Sequence, residues 1–193
     1  MSKSLQGAPS VNLLAVDTAT EGCSAACLTG DKSFERYAVD PQGHSRTLLG
    51  MVEAVLAEAR LERSALDALA YDAGPGSFTG IRIGAGVAQG LALGLEKPLL
   101  AVSSLMTLAE GARREQPNCN SVLAAIDARM DQVYWARLES DPEAPGHWRW
   151  DEMPCVSEPR EVAAHISGCT GVGSGWDRYS DVFMGDRPMP WLV

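Results

Sequence analysis

The sequence predicts an α/β protein made of two related halves. Aliphatic segments of strand length alternate along the chain with segments of helical period. Each half begins with an aliphatic strand that ends in aspartate, at Asp17 in VNLLAVDTA and at Asp127 in SVLAAID, and continues through a turn into further strands and a helix. This order favours two α/β lobes, 1–102 and 103–193, although the halves share no recognisable sequence repeat.

Composition and charge limit the classes of function. The 193 residues are 46% hydrophobic, which suffices for a buried core, and 16 basic and 25 acidic residues give a net charge of −9. An acidic chain lacks the electrostatic footprint for a polyanion, so direct binding of nucleic acid is disfavoured. The first residues, MSKSLQGAPSV, lack the apolar core of a signal sequence, no uninterrupted apolar run has membrane-spanning length, and five scattered cysteines suit a reducing compartment. We therefore expect a cytoplasmic protein that does not bind membranes.

The first half is predicted to begin as a three-stranded meander followed by a helix. Short apolar or alternating segments separated by turn residues predict strands at 11–19, 23–30 and 33–39. The turn residues at 40–43 end the third strand. From residue 44 to 61 apolar side chains recur at helical spacing, which predicts an amphipathic helix.

A strand predicted at 66–74 leads into a glycine-rich stretch, DAGPGSFTGIRIGAGVAQG. The residues from Gly80 to Leu95 have helical spacing but are apolar or small on nearly every side. A helix on one face of a sheet needs an apolar stripe only a little wider than about 100°, so this helix is predicted to be enclosed and covered on a second side too. Glycine inside a helix costs about 1 kcal/mol relative to alanine, and close packing would offset that cost.

The second half is predicted to repeat this order. After a strand that follows Pro98 and a helix at 104–114, strands are expected at 121–127, 132–139 and 147–156. A helix is expected at 159–167. A second glycine cluster, TGVGSGWDRYSD, follows a short strand near residue 170, and no closing helix is predicted before the final MPWLV.

The glycine loops raise the question of a phosphate site, because backbone N–H groups at the start of a helix bind phosphate. GPGSFTG spaces its glycines one residue away from the dinucleotide fingerprint, the chain lacks the G-K-[ST] of a nucleotriphosphatase loop, and none of its three lysines lies in a glycine loop. A nucleotide held with magnesium is the alternative to a plain tight turn. Its candidate residues are Asp17, Thr18, Gly74, Gly76, Ser77 and Gly173.

Hydrolase and metal motifs fail in this sequence. A nucleophile elbow needs glycine two residues before its serine, and neither Ser77 nor Ser174 has one there. The three histidines stand far apart, and Cys23 and Cys27 lie on one face of a strand, as two buried thiols would. The strand-end aspartates could be catalytic carboxylates or simple strand ends. We expect no metal site in this chain.

Three segments together resemble the TsaB (YeaZ) family: LLAVDTATEGCSAACL, AYDAGPGSFTGIRIGAGVAQGLALGLEKPLLAVSSL and LAAIDARMDQVYWA. The resemblance runs from residue 11 to about 177, and GPGSFTGIRIG, AQGLALG and IDARM are its most specific parts. It implies the two-lobed fold of actin-like proteins, sugar kinases and chaperone ATPases (ASKHA), with ribonuclease H-like halves. It also implies a role in placing a threonylcarbamoyl group on the adenosine next to the anticodon of tRNAs that read codons beginning with A.

The same resemblance implies a non-catalytic subunit. The catalytic relative, TsaD, carries two metal-binding histidines spaced H-x-x-x-H, and Ser104 and Leu108 stand at those positions here. Leucine cannot bind a metal ion. The first loop is DTAT rather than the glycine-containing phosphate loop of active members. TsaB-like proteins resemble a degenerate partner that dimerises with TsaD and is joined by the ATPase TsaE. In that assembly tRNA is met only through the complex, and ATP or ADP with Mg²⁺ at its interface is left open.

The dimerising surface implied by the family is built from the first two helices. The interface predicted here comprises Leu48, Met51, Val52, Val55, Ile83 and Val87, with Arg82 at its polar edge. Packing of most of these side chains inside the subunit is the alternative. Self-association of the free protein through the same helices is a further alternative.

Two other points remain open from the sequence. TsaB-like chains generally continue past the GVGSGW region with further strand and helix, whereas this sequence ends at Val193, so the C-terminal lobe is expected to be incomplete relative to the family. Two functions compete with the scaffold: a small ATP-dependent phosphotransferase or nucleotide-binding protein of the same fold, and a peptidase acting on TsaD.

Overall fold

The computed structural model describes residues 11–40, 43–184 and 191–192. The N-terminal segment used above to judge a signal sequence lies outside the described residues, as do two residues of the predicted turn at 40–43. The described chain divides into two compact units, which are taken separately below. Unit 1 holds the described residues up to Ala73 together with Ser77–Val102, and unit 2 holds Gly74–Gly76 and the described residues from Ser103 onward.

Unit 1 is a five-stranded sheet with two helices. Its strands are β1 (Asn12–Asp17), β2 (Gly22–Thr29), β3 (Lys32–Val39), β4 (Ala68–Asp72) and β5 (Leu99–Val102). Its helices are α1 (His44–Ala59) and α2 (Phe78–Leu95). The strand order is β3-β2-β1-β4-β5, with an antiparallel meander and two further strands parallel to β1. Every element predicted for this half is confirmed, with ends that shift by one or two residues.

The core of unit 1 lies between one face of this sheet and the two helices. Alternate residues of β1 and β2 point into it, including the thiols of Cys23 and Cys27, which are buried as expected. The helix α1 contributes four large side chains: Leu48, Val52, Val55 and Leu56. The helix α2 contributes the small residues Ala88 and Ala92, so its backbone lies close to the sheet.

Unit 2 has the same sheet topology. Its strands are β6 (Ser121–Arg129), β7 (Gln132–Ser140), β8 (Trp148–Ser157), β9 (Thr170–Val172) and β10 (Trp191–Leu192), and its helices are α3 (Ser104–Glu115), α4 (Pro159–Val162), α5 (Ser174–Arg178) and α6 (Ser180–Met184). The strand order, β8-β7-β6-β9-β10, repeats that of unit 1 from the third meander strand to the last parallel one. The two related halves predicted from the strand-end aspartates are therefore confirmed.

The elements of unit 2 after β8 differ most from prediction. The helix expected at 159–167 is a single α-helical turn, α4, followed by a 3-10 turn at Ala163–His165. The short helices α5 and α6 and the strand β10 were not predicted. The glycines of the TGVGSG cluster explain why periodicity misses them: Gly171 lies so close to the ring of Trp176 that a Cβ there would overlap it, and Gly173 has φ of 101°.

The sheet of unit 2 is covered on both faces. On one face α3 packs Leu105, Ala109 and Ala112 against even-numbered residues of β6 and β7. On the other face α4, α5 and α6 pack against odd-numbered residues of the same strands, around the buried rings of Trp135, Trp176 and Phe183. The side chains of β6 are accordingly apolar on both sides, as in a fully buried strand.

Candidate functional site

Three of the predicted interface residues are not on the surface. Leu48, Val52 and Val55 of α1 are no more than 1% exposed, since they form the side of the helix that packs on the sheet. Placing them at a partner interface is therefore wrong, and the alternative of packing inside the subunit holds for them. The helical spacing was identified correctly, but it marks the core stripe of α1.

The other four predicted interface residues lie nearer the surface. Met51 of α1 and Ile83 and Val87 of α2 are half-buried and pack against the rim of the core. Arg82 is exposed, and its guanidinium lies 3.4 Å from the centroid of the Phe78 ring while donating a hydrogen bond to the Phe78 carbonyl. These four residues border the surface formed by the two helices.

The sides of α1 and α2 that point away from the sheet carry Arg82 together with seven residues that were not predicted at the interface. On α1 they include Arg46, Leu49 and Gly50, and on α2 they include Phe78, Arg82, Gly86, Gly90 and Leu93. We call these eight residues the outer helix face. Leu93 is 82% and Phe78 73% exposed, and nothing lies within 4 Å of where a Cβ would stand at Gly50, Gly86 or Gly90. The described residues cover only one side of α2, so they do not enclose the helix, and covering of its second side by a partner stays a prediction.

By length and composition α2 is the one helix in the described part of the chain that could span a membrane. Its mean hydropathy is 1.2 over 18 residues, of which 22% are buried. Core helices of globular proteins have the same length and composition, so this property alone does not indicate a membrane protein. One stripe of α2 packs on the unit 1 sheet, as such a core helix does.

Glycine has a structural role on the buried side of α2. A Cβ at Gly80 would overlap the carbonyl oxygen of Thr18, and one at Gly84 would lie 2.6 Å from the Thr18 hydroxyl. The loop after β1 therefore rests directly on the backbone of α2. The predicted close packing holds on this side, whereas Gly86 and Gly90 face open space.

The nucleotide candidates of unit 1 are engaged within the unit. The Thr18 hydroxyl donates a 2.7 Å hydrogen bond to the Gly80 carbonyl, and the side chain is 1% exposed. The Ser77 amide donates to the Ala19 carbonyl at 2.7 Å, and the Ser77 hydroxyl accepts from the Gly80 amide at 3.3 Å. The Ser77 and Gly80 amides and the Thr18 hydroxyl at this helix start therefore already have partners.

The third candidate of unit 1, Asp17, lies beside a second carboxyl. Since Val16 pairs with Tyr71 across the parallel strands β1 and β4, the following residues, Asp17 and Asp72, end adjacent strands. Their carboxyl groups lie within hydrogen-bonding range of each other. Burial raises the pKa of Asp17, while the hydrogen bond from the Ala19 amide, the hydrogen bond with Asp72 and the charge of His44 act to lower it.

The remaining nucleotide candidates, Gly74, Gly76 and Gly173, belong to unit 2. Gly74 has φ of 95° and accepts a hydrogen bond from the Ser104 amide at 3.0 Å. A Cβ at Gly173 would overlap the carbonyl oxygen of Ala125, so this glycine permits close packing against β6. The structure thus accounts for the conformations of Gly74 and Gly173 without a ligand, and nucleotide binding remains a prediction.

The positions aligned with the metal-binding histidines of TsaD lie in α3. Ser104 is buried, and Leu108 packs close to Gly173. Across residues 11–40, 43–184 and 191–192 no three His, Cys, Asp or Glu side chains come together as a metal-binding group.

Sequence reasoning missed several residues that the structure brings forward. Leu49, Phe78 and Leu93 dominate the exposed apolar area of the outer helix face, yet they lie outside the periodic stripes that drew attention. Asp72 was missed because its partner, Asp17, lies 55 residues earlier in the chain. The parallel pairing of two strands that both end in aspartate was the available signal.

Sequence comparisons relate this chain to proteins of tRNA threonylcarbamoyladenosine biosynthesis. A sequence profile described as TsaD: tRNA N6-adenosine threonylcarbamoyltransferase matches residues 39–144. The tRNA threonylcarbamoyladenosine biosynthesis protein TsaB of Escherichia coli (strain K12) is 43% identical over 176 residues, which cover 89% of this chain and 75% of the relative. The protein of the same name from Haemophilus influenzae (strain ATCC 51907 / DSM 11121 / KW20 / Rd) is 37% identical over 177 residues, or 88% and 75% of the two chains.

Structural similarity extends over the same region. The solved structure of YeaZ from Pseudomonas aeruginosa superposes with a TM-score of 0.81 at 42% identity, covering 94% of this chain and 82% of that one. This match, together with the repeated strand order of the two sheets, confirms the predicted fold class. Since it shares the fold and aligns with these relatives over most of its length at 37–43% identity, this chain belongs to the TsaB (YeaZ) family.

Proposed function

We propose that this protein acts in tRNA threonylcarbamoyladenosine biosynthesis, as a non-catalytic subunit that binds a TsaD-like transferase through the outer helix face. Family membership supports the pathway, because the curated relatives carry it in their names. The exposed apolar and glycine surface of α1 and α2 supports the mode of action. In this proposal a TsaE-like ATPase joins the pair, tRNA is met only through the complex, and the complex works in the cytoplasm.

The single observation that carries the proposal is the pair of open glycines in α2. Gly86 and Gly90 each destabilise a helix by about 1 kcal/mol relative to alanine. Among the residues that the structure describes, nothing lies within 4 Å of a Cβ at either position, so no close contact offsets that cost. A second helix lying on this side could approach the α2 backbone and bury Leu93 and Phe78, each worth about 1.5–3 kcal/mol when fully covered. The open glycines therefore support a complex in which a partner packs closely on this side of α2.

We assign no catalysis to this chain, because the side chains in the loops that would carry a reaction have other roles. The Thr18 hydroxyl after β1 donates to the Gly80 carbonyl, and the Ser77 hydroxyl before α2 accepts from the Gly80 amide, so both hydroxyl groups are engaged at the start of α2. Leu108 cannot supply a metal ligand where the transferase has histidine. We assign no nucleotide to the isolated chain and leave ATP or ADP with Mg²⁺ to the interface of the complex.

The test is co-elution of this chain with a TsaD-like transferase on a size-exclusion column, together with threonylcarbamoyl transfer to tRNA. Gly90→Trp places a ring on the outer helix face and is expected to abolish co-elution and stimulation of transfer. Gly90→Ala is expected to stabilise the isolated chain by about 1 kcal/mol while weakening the complex much less. Gly111→Trp is the matched control, because Gly111 is also open but lies on α3 in unit 2.

Each outcome bears on a different part of the proposal. If Gly90→Trp binds the transferase as well as the unaltered chain does, the outer helix face is not the interface. If the unaltered chain neither co-elutes nor raises transfer, the scaffold role is wrong. Concentration-dependent self-association that Gly90→Trp removes would show that the same face also forms a homodimer.

A further inference from the structure

The contact between Asp17 and Asp72 has no part in the function proposed above. Asp72 is buried and Asp17 half-buried, and because Val16 pairs with Tyr71 the two carboxyl groups follow at the ends of adjacent parallel strands, within hydrogen-bonding range of each other. A hydrogen bond needs a donor, and an ionised carboxylate is only an acceptor. Two carboxyl groups can therefore form this bond only when one of them carries a proton.

The Asp17 carboxyl is also part of the contact between the loop after β1 and α2. Its Oδ1 accepts a 2.8 Å hydrogen bond from the Ala19 amide. The Ala19 carbonyl in turn accepts a 2.7 Å bond from the Ser77 amide, and the Thr18 hydroxyl donates to the Gly80 carbonyl. A movement of Asp17 would therefore be transmitted through three consecutive residues to the start of α2.

We propose that Asp17 and Asp72 share one proton and that this proton latches the loop Asp17–Ala19 onto the start of α2. When the proton leaves, two carboxylates remain in contact at adjacent strand ends and repel each other. The repulsion acts on a loop held by three hydrogen bonds, so the loop and the first turn of α2 open more often. The degree of order of the loop Asp17–Ala19 therefore depends on pH.

Other ionisable groups surround the pair and shape its titration. His44 at the start of α1 acts on Asp17 through its charge, and its Nε2 lies 3.3 Å from the Glu21 carbonyl oxygen. The charges of Asp17 and Asp40 both act on Cys23 of β2, where burial is the main cause of a raised thiol pKa. From α2 the loop meets the backbone of Gly80 and Gly84.

The direction of the pH effect follows from the raised pKa of Asp17, whose main cause is burial. A group whose pKa is higher in the folded state than in the unfolded chain adds stability below its unfolded pKa, and that stability is lost as pH rises through its folded pKa. The latch is thus closed in acid and released as pH increases. The effect of the latch is measured as a difference between the unaltered chain and a variant that lacks the Asp17 carboxyl.

Amide hydrogen exchange of the full-length chain over a pH series tests the latch at the Ala19 and Ser77 amides. In the unaltered protein their protection factors, corrected for the intrinsic pH dependence, are expected to fall several-fold as pH rises. In Asp17→Asn the amide donates to Asp72 whatever the pH, so protection at Ser77 should stay constant. The control Asp31→Asn removes the same charge from the exposed turn between β2 and β3 and should behave as the unaltered chain does.

A second measurement uses the unaltered protein and does not depend on a variant folding. Carbon-13 NMR of aspartate-labelled protein should show the Asp17 and Asp72 carboxyl signals titrating together in two steps, as coupled groups do. Two independent single-step titrations would overturn the proposal. So would a pH dependence of Ser77 protection that is the same in Asp17→Asn and in the unaltered chain.

Discussion

The two units have the same strand order, yet they bury it differently. In unit 2 the sheet has helices and a hydrophobic cluster on each face. In unit 1 a single cluster fills one face, while the other leaves Leu100 and Val102 of β5 and Tyr37 of β3 exposed. The comparison teaches that a topology encoded by strand periodicity is compatible with quite different cores. Unit 1 therefore exposes apolar residues on the uncovered face of its sheet as well as on the outer helix face.

The two units also differ in the partners of their strand-end aspartates, Asp17 at the end of β1 and Asp127 in β6. The carboxylates of Asp17 and Asp127 each accept a hydrogen bond from the amide two residues later, at 2.8 and 2.9 Å. Asp127 then meets the guanidinium of Arg129 and the hydroxyl of Tyr179, whereas Asp17 meets a second carboxyl. An equivalent local turn therefore carries an ordinary ion pair in unit 2 and a carboxyl pair in unit 1.

The largest loss of unfolding free energy is expected from the removal of one buried aromatic side chain in unit 2. Trp176 is fully buried, and its indole N–H donates to the Leu123 carbonyl at 3.1 Å. Trp176→Ala should lower the free energy of unfolding by about 3–5 kcal/mol, measured by urea denaturation. Met153→Ala, on the exposed strand β8, should change it by less than about 0.5 kcal/mol. If Trp176→Ala changed the free energy of unfolding as little as Met153→Ala does, the hydrophobic cluster around Trp176 would not stabilise unit 2.

The glycines of α2 should respond with opposite signs. Gly80→Ala forces a methyl group against the Thr18 carbonyl and should cost about 1–3 kcal/mol of unfolding free energy. Gly86→Ala meets nothing and should gain about 1 kcal/mol through helix propensity. Thermal and urea unfolding of the two variants measure this contrast. Changes of the same sign at both positions would contradict the division of α2 into a packed and an open side.

A turn of unit 2 should become more stable when it copies its counterpart in unit 1. The β2–β3 turn uses Gly30 with φ of 58°, whereas the β6–β7 turn uses Met130 with φ of 52°. A non-glycine residue in this left-handed region costs about 1 kcal/mol or somewhat more, and the Met130 side chain is 93% exposed. Met130→Gly should therefore raise the free energy of unfolding by about 1 kcal/mol. A loss of stability would reveal a contact that holds Met130.

The smallest expected effect is on the alkaline titration of one tyrosine in unit 2. Burial, and after it the negative charge of Asp127, raises the pKa of the Tyr179 phenol. Because the folded pKa is the higher one, the contribution of Tyr179 to stability is present below its unfolded pKa of about 10 and is lost as pH rises through the folded value. Asp127→Asn should lower the pKa of Tyr179 in an ultraviolet titration, with Tyr179→Phe identifying its signal. An unchanged titration would remove Asp127 as a cause.

Much of the fold could be predicted from the sequence because periodicity and turn residues act locally. The meander of unit 1, both long helices and the first three strands of unit 2 were placed to within about two residues. After β8 the short strand expected near residue 170 is confirmed as β9, but the helices α5 and α6 were not predicted, because close contacts of glycine with Trp176 and Ala125 allow short helices that have no periodic pattern. The contacts of Gly173 and Gly175 with Ala125 join residues far apart in the chain, which single-sequence periodicity does not detect.

By itself the sequence determined the order of elements, the two-unit repeat, the buried thiols and the small-residue character of α2. Only the tertiary structure decided which side of each helix faces the sheet, so that Leu48 is in the core and Leu49 on the surface. It also decided that Asp17 meets Asp72 and that Gly80 is packed while Gly86 is open. The physical reason is that helical spacing sets the angle between side chains around an axis, while burial depends on which neighbours that axis is laid against.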